Sequence, residues 1–187
     1  PFTFNHLIVS PLNSRQTIKD LIKHEIRLAQ AGKSAYIHIK VNNLCDNPIA
    51  KLLCKAAEAG VEVKMIIRGM CSLQTEDVNL SKKIEIHSIV DRFLEHARVM
   101  IFGNSGDPRV YITSADLMKR NIDQRVEVGV PIYDRHLRRQ IINIFDLHMK
   151  DNTKARLIDK TQTNPYIEEG GAKKVRSQIA IHQYLSR

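Results

Sequence analysis

The chain has 187 residues, enough for one domain with a substantial core and few for two. Hydrophobic residues make up 43% and charged residues 26%, an ordinary globular balance, and no apolar run approaches the roughly 20 residues of a membrane span. The formal charge of +9 points to a polyanionic partner or to an acidic neighbour, while 5% aromatic residues and no Trp leave little stacking surface for single-stranded nucleic acid.

The chain opens on Pro1, as an excised fragment or a processed N-terminus would. Leu7-Ile8-Val9 is a short apolar run suited to a buried strand. Ile18, Leu21, Ile22, Ile26 and Ala29 recur at helical spacing, so a helix is expected from Ser14, its N-cap, to Ala31 before Gly32. Ala35, Ile37, Ile39 and Val41 alternate with Tyr36, His38 and Lys40 as a half-buried strand does. Asp46 caps a second helix that runs to Gly60, with Ile49, Leu52, Leu53 and Ala56 on one face. The β-prone run 61–67 follows. This β-α-β-α-β order argues for parallel strands covered by helices, with ligands collecting at the carboxyl ends.

Residues 72–83 are polar and expected as a loop. Strands are expected at 84–89, 97–102, 110–113 and 125–130. The turn signal Asn104-Ser105-Gly106-Asp107-Pro108 makes a hairpin of the middle two, so the sheet is mixed. Asp134 caps a helix presenting Leu137, Ile141, Ile144, Phe145 and His148. Beyond a connector at Asn164-Pro165 and a Gly170-Gly171 turn, a last helix is expected from Lys173 to Tyr184, with Val175, Ile179 and Ile181 or His182 inward. Cys45, Cys54 and Cys71 fit neither a zinc site nor a disulfide framework and read as buried free thiols. The whole chain, 1–187, reads as one α/β domain.

Three places can carry chemistry. In Arg92-Phe93-Leu94-Glu95-His96-Ala97-Arg98, an extended backbone puts His96 and Arg98 on one face. An imidazole can move a proton or a phosphoryl group, and a neighbouring guanidinium stabilises phosphate charge. An H-x-R triplet is also common as a plain sheet element. Arg125 and Glu127 share a strand face in the same way, as part of a site or as a structural pair at a sheet edge. Arg68, before Gly69 at the end of a buried strand, suits phosphate binding and equally suits a solvated strand end.

Taken together, several blocks resemble the large, histidine-phosphorylated polyphosphate kinases of bacteria. They are Val41-Asn42-Asn43-Leu44, Arg68-Gly69-Met70-Cys71-Ser72-Leu73, Arg92-Phe93-Leu94-Glu95-His96, Ser114-Ala115-Asp116 with Arg120-Asn121, and Arg125-Val126-Glu127-Val128. The resemblance runs along nearly the whole chain and identifies it with the second of that family's two C-terminal phospholipase D-like domains. His96-Ala97-Arg98 stands where the phospholipase D superfamily has H-x-K, and the Thr113 to Glu127 segment where it has G-S-x-N with a downstream Glu. The Lys is Arg98 here, the acidic residue five positions on is Gly103, and the Asn is Asp116.

The resemblance implies a phospholipase D-like mixed sheet with helices on both faces. It implies reversible transfer of the terminal phosphate of ATP to inorganic polyphosphate through a phosphohistidine on the preceding domain. ATP/ADP would meet Arg68 and His96, with His96, Arg98, Arg125 and Glu127 in catalytic roles, and Mg2+ would be bound mainly outside this chain. Implied partners are polyphosphate, the preceding domain and further copies of the full enzyme, with no nucleic acid. The implied setting is cytoplasmic, with membrane association of the full enzyme as a further expectation. A phospholipase D-type phosphodiesterase or nuclease and a non-catalytic polyanion-binding scaffold are the alternatives.

Overall fold

The computed structural model describes residues 3–73, 83–159, 163–168 and 173–186. In chain order these form β1 (Ile8–Ser10), α1 (Ser14–Gln30), β2 (Tyr36–Val41), α2 (Asn47–Glu58), β3 (Glu62–Ile67), β4 (Ile84–Ile89), β5 (Val99–Phe102), β6 (Arg109–Thr113), α3 (Lys119–Asp123), β7 (Glu127–Ile132), α4 (Arg135–Met149), β8 (Ala155–Leu157) and α5 (Ser177–Leu185). The strands make one eight-stranded sheet in the order β1-β7-β6-β5-β2-β3-β4-β8. Strands β2, β3 and β4 run parallel, and the other neighbours are antiparallel.

The β2-α2-β3 unit is the parallel crossover that the sequence pattern announces. Asp46 accepts a hydrogen bond from Ile49 N at 3.1 Å to start α2, and Gly60, at φ +99, ends it in a conformation that glycine takes without strain. The first strand departs from expectation. β1 does not join the parallel set but lies at the far edge, antiparallel to β7. The hairpin β5-β6 closes across the predicted turn.

Two apolar layers cover the sheet. Ile18, Leu21 and Ile22 of α1 and Ile49 and Leu53 of α2 pack on Ile37, Ile39, Met65 and Met100. On the other face, Phe145 of α4 packs against Ile66, Ile89, Ile101 and Val110. The alternation in β2 therefore has a different meaning from the expected one. Its polar side is not solvated: His38 and Lys40 are buried under α4, with the His38 ring stacked on Phe145 at 4.9 Å.

Several boundaries move. Asn13, not Ser14, precedes α1, and the Ser14 hydroxyl donates to Ile122 O instead of capping. β7 starts at Glu127, so Arg125 stands in a bend ahead of the strand. The last helix starts at Ser177, because Arg176 is drawn into a two-bond ion pair with Asp91, and Ile179 is exposed rather than inward. The cysteines are free but only half-buried. Residues 74–82 of the expected loop and the Gly170-Gly171 turn lie outside the described residues. No described helix is long and apolar enough to cross a membrane.

Candidate active site

The carboxyl ends of β2 and β3, the approach to β5 and the turn after β6 meet at one carboxylate, Asp116. Its Oδ1 accepts from Asn42 N at 2.8 Å and from Arg98 Nε at 2.9 Å, and its Oδ2 accepts from Asn43 Nδ2 at 3.0 Å. Burial alone would raise the Asp116 carboxyl, but the bonds from Arg98, Asn43 and the Asn42 backbone outweigh it and hold it below its ordinary value. It is therefore a buried anion at neutral pH, and it fixes the two basic groups on either side.

Arg98 is fixed directly. With Nε on Asp116, its Nη1 donates to His96 O at 3.2 Å and its Nη2 lies 3.4 Å from His96 Nε2. Arg68 is fixed at one remove. Its Nε donates to Asn42 Oδ1 at 2.6 Å, and its terminal nitrogens take no partner among the described residues. Glycine is required beside it: a Cβ on Gly69 would lie 2.5 Å from Asn43 Oδ1 and 2.8 Å from Asn42 O. His96 is exposed, outside the apolar core.

A second small network adjoins the first. Glu127, at the start of β7, accepts from the Ser114 hydroxyl and, through Oε1, from Asn121 Nδ2 at 2.7 Å. The short helix α3 that presents Asn121 is anchored by Arg15, which bridges Asp123 and the capping Asp46, each at 2.7 Å. The charge-assisted Arg15–Asp123 bonds tie the end of this five-residue helix to α1, and Ile122 and Asn121 are its buried residues.

The structure thus joins Arg68, Arg98 and His96 through Asp116 and ties Glu127 to Ser114, which stands two residues before Asp116 in the same turn. It does not join Arg125. That side chain is exposed and makes no ion pair with Glu127, because the strand on which the two would share a face has not yet begun. Sequence reading missed Asn42 and Asn43 as positioning groups and took Asp116 only as a departure from a pattern. The signal was present: the two departures from the pattern, Arg98 and Asp116, are the two partners of a single ion pair at 2.9 Å. Gly103 has an equally local cause. A Cβ there would meet the Tyr36 ring at 2.6 Å and Tyr36 N at 3.0 Å, so an acidic side chain has no room.

Beneath this rim, on the α4 side, a cavity of about 580 Å³ is lined by Lys40, Glu95, Ala97, Ile141, Phe145 and Ile181 among others. Among the described residues no group of three or more His, Cys, Asp or Glu side chains is placed to hold a metal ion. The cationic and imidazole donors at the Asp116 rim suit phosphate oxygens.

The sequence profile of polyphosphate kinase C-terminal domain 2 matches residues 7–178. This chain belongs to that family. It is 56% identical over 185 residues to a polyphosphate kinase of Vibrio parahaemolyticus and 45% identical to that of Escherichia coli K12, covering 99% of this chain and 27% of either relative. The chain therefore spans about a quarter of those enzymes' length. A crystal structure of polyphosphate kinase from Porphyromonas gingivalis superposes with a TM-score of 0.96 at 40% identity, over 100% of this chain and 28% of that one. The phospholipase D family member Nuc of Salmonella typhimurium gives 0.58 at 18% identity, over 81% of this chain and 95% of Nuc, a likeness of fold. The mixed sheet with helices on both faces is accordingly the phospholipase D-like architecture.

Proposed function

We propose that this domain supplies one wall of the phosphate site of an ATP:polyphosphate phosphotransferase, acting within a longer chain. The observation that carries the reading is the convergence of Arg68, Arg98 and His96 on the Asp116 network, with the Arg68 terminal nitrogens unpartnered among the described residues and so placed to receive an anion.

Phosphoryl transfer asks a protein mainly for positioning and charge neutralisation. The free fork of Arg68 suits two oxygens of a nucleotide phosphate. The His96 imidazole, exposed beside the Arg98 guanidinium, meets the transferred group, and Arg98 balances charge developing on it. Glu127 fixes Ser114 and Asn121, which shape the turn that delivers Asp116. Arg125, exposed on its bend, adds positive potential for the polyanion at longer range. The γ-phosphoryl of ATP passes to a histidine on the preceding domain, ADP leaves, and a terminal oxygen of polyphosphate then accepts the group. Magnesium, where the reaction uses it, is held by groups outside these residues. A cytoplasmic setting suits ATP as the donor and is supported by the three free cysteines.

The preceding domain needs a surface to dock on, and the sheet offers one. Ile112 of β6 stands directly opposite Val130 of β7, with Val128 on the same face, and all three are exposed.

Phosphodiester hydrolysis by a self-contained H-x-K-D site loses its footing at Gly103, where Tyr36 fills the space of the acidic residue. The deciding experiment is His96→Ala in the full-length enzyme. Polyphosphate synthesis should fall ~100-fold or more, the effect of deleting a preorganised group at a phosphoryl site. Near-parental synthesis would reject the role. The domain on its own should show no turnover of ATP with polyphosphate, and measurable turnover would refute the division of the site between two domains.

A further inference from the structure

The segment that carries His96 is held by something other than sheet pairing. Residues 90–98 precede β5 and belong to no strand. Their course is set by side chains from the start of α5. Arg176 pairs with Asp91, Nε to Oδ2 at 2.8 Å and Nη2 to Oδ1 at 2.6 Å. The Gln178 carboxamide closes on the backbone of Phe93, accepting from Phe93 N at 3.0 Å and donating to Phe93 O at 2.8 Å. The same Nε2 donates to Glu95 Oε1 at 2.9 Å. So Asp91, Phe93 and Glu95, every second residue, are gripped from one side.

Glu95 is then locked from below. Its Oε2 accepts from Lys40 Nζ of β2 at 2.6 Å and lies 3.1 Å from His148 Nε2 of α4. In an extended chain the next side chain leaves on the opposite face. Glu95 points under the sheet rim and His96 points out to the Asp116 network. On the far side, Arg98 O is held by Thr113 N at 3.1 Å. His96 hangs between two fixed points, one on β6 and the other built by α5.

We propose that Gln178 is a positioning residue for His96, acting through the Phe93 backbone and the Glu95 carboxylate. The proposal rests on the reading of His96 given above. It is Gln178 rather than apolar packing that sets this register, because the Phe93 and Leu94 side chains of the segment are both exposed, while the start of α5 that presents Gln178 is itself fixed by buried bonds from Ser177 to Asp151.

The test uses the full-length enzyme and steady-state polyphosphate synthesis. Gln178→Ala removes all three bonds from a half-buried position. It should lower kcat roughly 10-fold while leaving KM for ATP within about 2-fold, because the loss is of reacting geometry and not of ground-state binding. Gln178→Glu sets a second carboxyl against Glu95. Lys40, His148 and His182 are the other titratable groups around this space. At neutral pH the two carboxylates repel; as pH falls, a protonated carboxyl at 178 can donate to Glu95 as the amide did. The ratio of this variant's activity to the parent's should therefore rise as pH is lowered, a response that general loosening of α5 does not produce.

Unchanged kcat in Gln178→Ala, or a raised KM at constant kcat, overturns the proposal. Should that variant melt far below the parent, the pH ratio of Gln178→Glu decides alone, and a flat ratio overturns the proposal. Loss of activity in His96→Ala beside parental activity in both Gln178 variants separates failure of this proposal from failure of the site. A neutral His96→Ala removes both.

Discussion

Two carboxylates lie close along the chain that leads into and out of the β5-β6 hairpin, and each gathers basic groups. Asp116 leaves its basic neighbours partly unsatisfied: Arg68 reaches it through Asn42, and its terminal nitrogens take no partner among the described residues. Glu95 leaves nothing open. Lys40, His148 and Gln178 fill both its oxygens, and the lysine and histidine are almost wholly buried. Burial works against the Glu95 carboxyl, yet the bonds from His148 and Lys40 hold it well below the ordinary carboxylate range. A saturated ionic knot gives position; a half-used one keeps donors for a ligand. The same chemistry, at two depths, separates a support from a candidate site.

The comparison breaks most sharply at Glu95. Glu95→Ala leaves Lys40 charged, buried and unpaired, and such a loss typically destabilises a fold by ~3–5 kcal/mol. Urea or thermal unfolding measures it. The pH dependence carries the sign. The folded-state pKa of Glu95 is depressed, so the unfolded state binds the proton more readily. Its stabilisation is present above the unfolded value of about 4.3 and is lost as pH falls below it. The stability gap between parent and Glu95→Gln should narrow through that window, and a gap constant down to pH 3 would show that Glu95 is not the anion described.

At Asp116 the expected loss is of turnover before stability. Asp116→Ala releases Arg98 directly and Arg68 through Asn42, and synthesis should fall ~100-fold, near ~3 kcal/mol of transition-state stabilisation. The coupling is testable by a double-mutant cycle. Arg98→Lys and Asp116→Asn should each be costly, while the two together should lose less than the sum, because either change alone already breaks the bond between Arg98 Nε and Asp116. Strict additivity would mean that the ion pair at 2.9 Å is not what joins these positions.

The sequence made the frame of the molecule readable where local physics decides. Period-two alternation marked β2, Asp46 and Asp134 marked two helix starts, and the Asn104 to Pro108 turn marked the hairpin. It misled where distant contacts decide. β1 has the composition of any buried strand, and only its partner, β7, places it at the opposite edge. Lys40 and His38 look like the wet face of a strand until α4 covers them. At the candidate site, His96, Arg98 and Arg68 are visible in the sequence as residue types near strand ends. Asn42 and Asn43 were not, because an amide that positions another residue leaves no spacing to read. Gly69 and Gly103 are steric vacancies whose meaning lies in Asn43 and Tyr36.

Arg125 gives the smallest and most discriminating effect. It was grouped with Glu127 on the expectation of a shared strand face, yet it stands before β7, exposed, with its backbone N bonded to Arg120 O at 2.9 Å. A guanidinium there can attract a polyanion but holds no fixed geometry against His96. Arg125→Ala should leave kcat within about 2-fold and raise KM for polyphosphate by about 2- to 5-fold at low salt, the increase fading as ionic strength shortens the screening length. Initial rates at two salt concentrations suffice. A salt-independent drop in kcat as deep as that of His96→Ala would move Arg125 from the surrounding field into the reacting group. The line between the fixed Asp116 network and its loose basic margin would then have to be redrawn around the bend before β7.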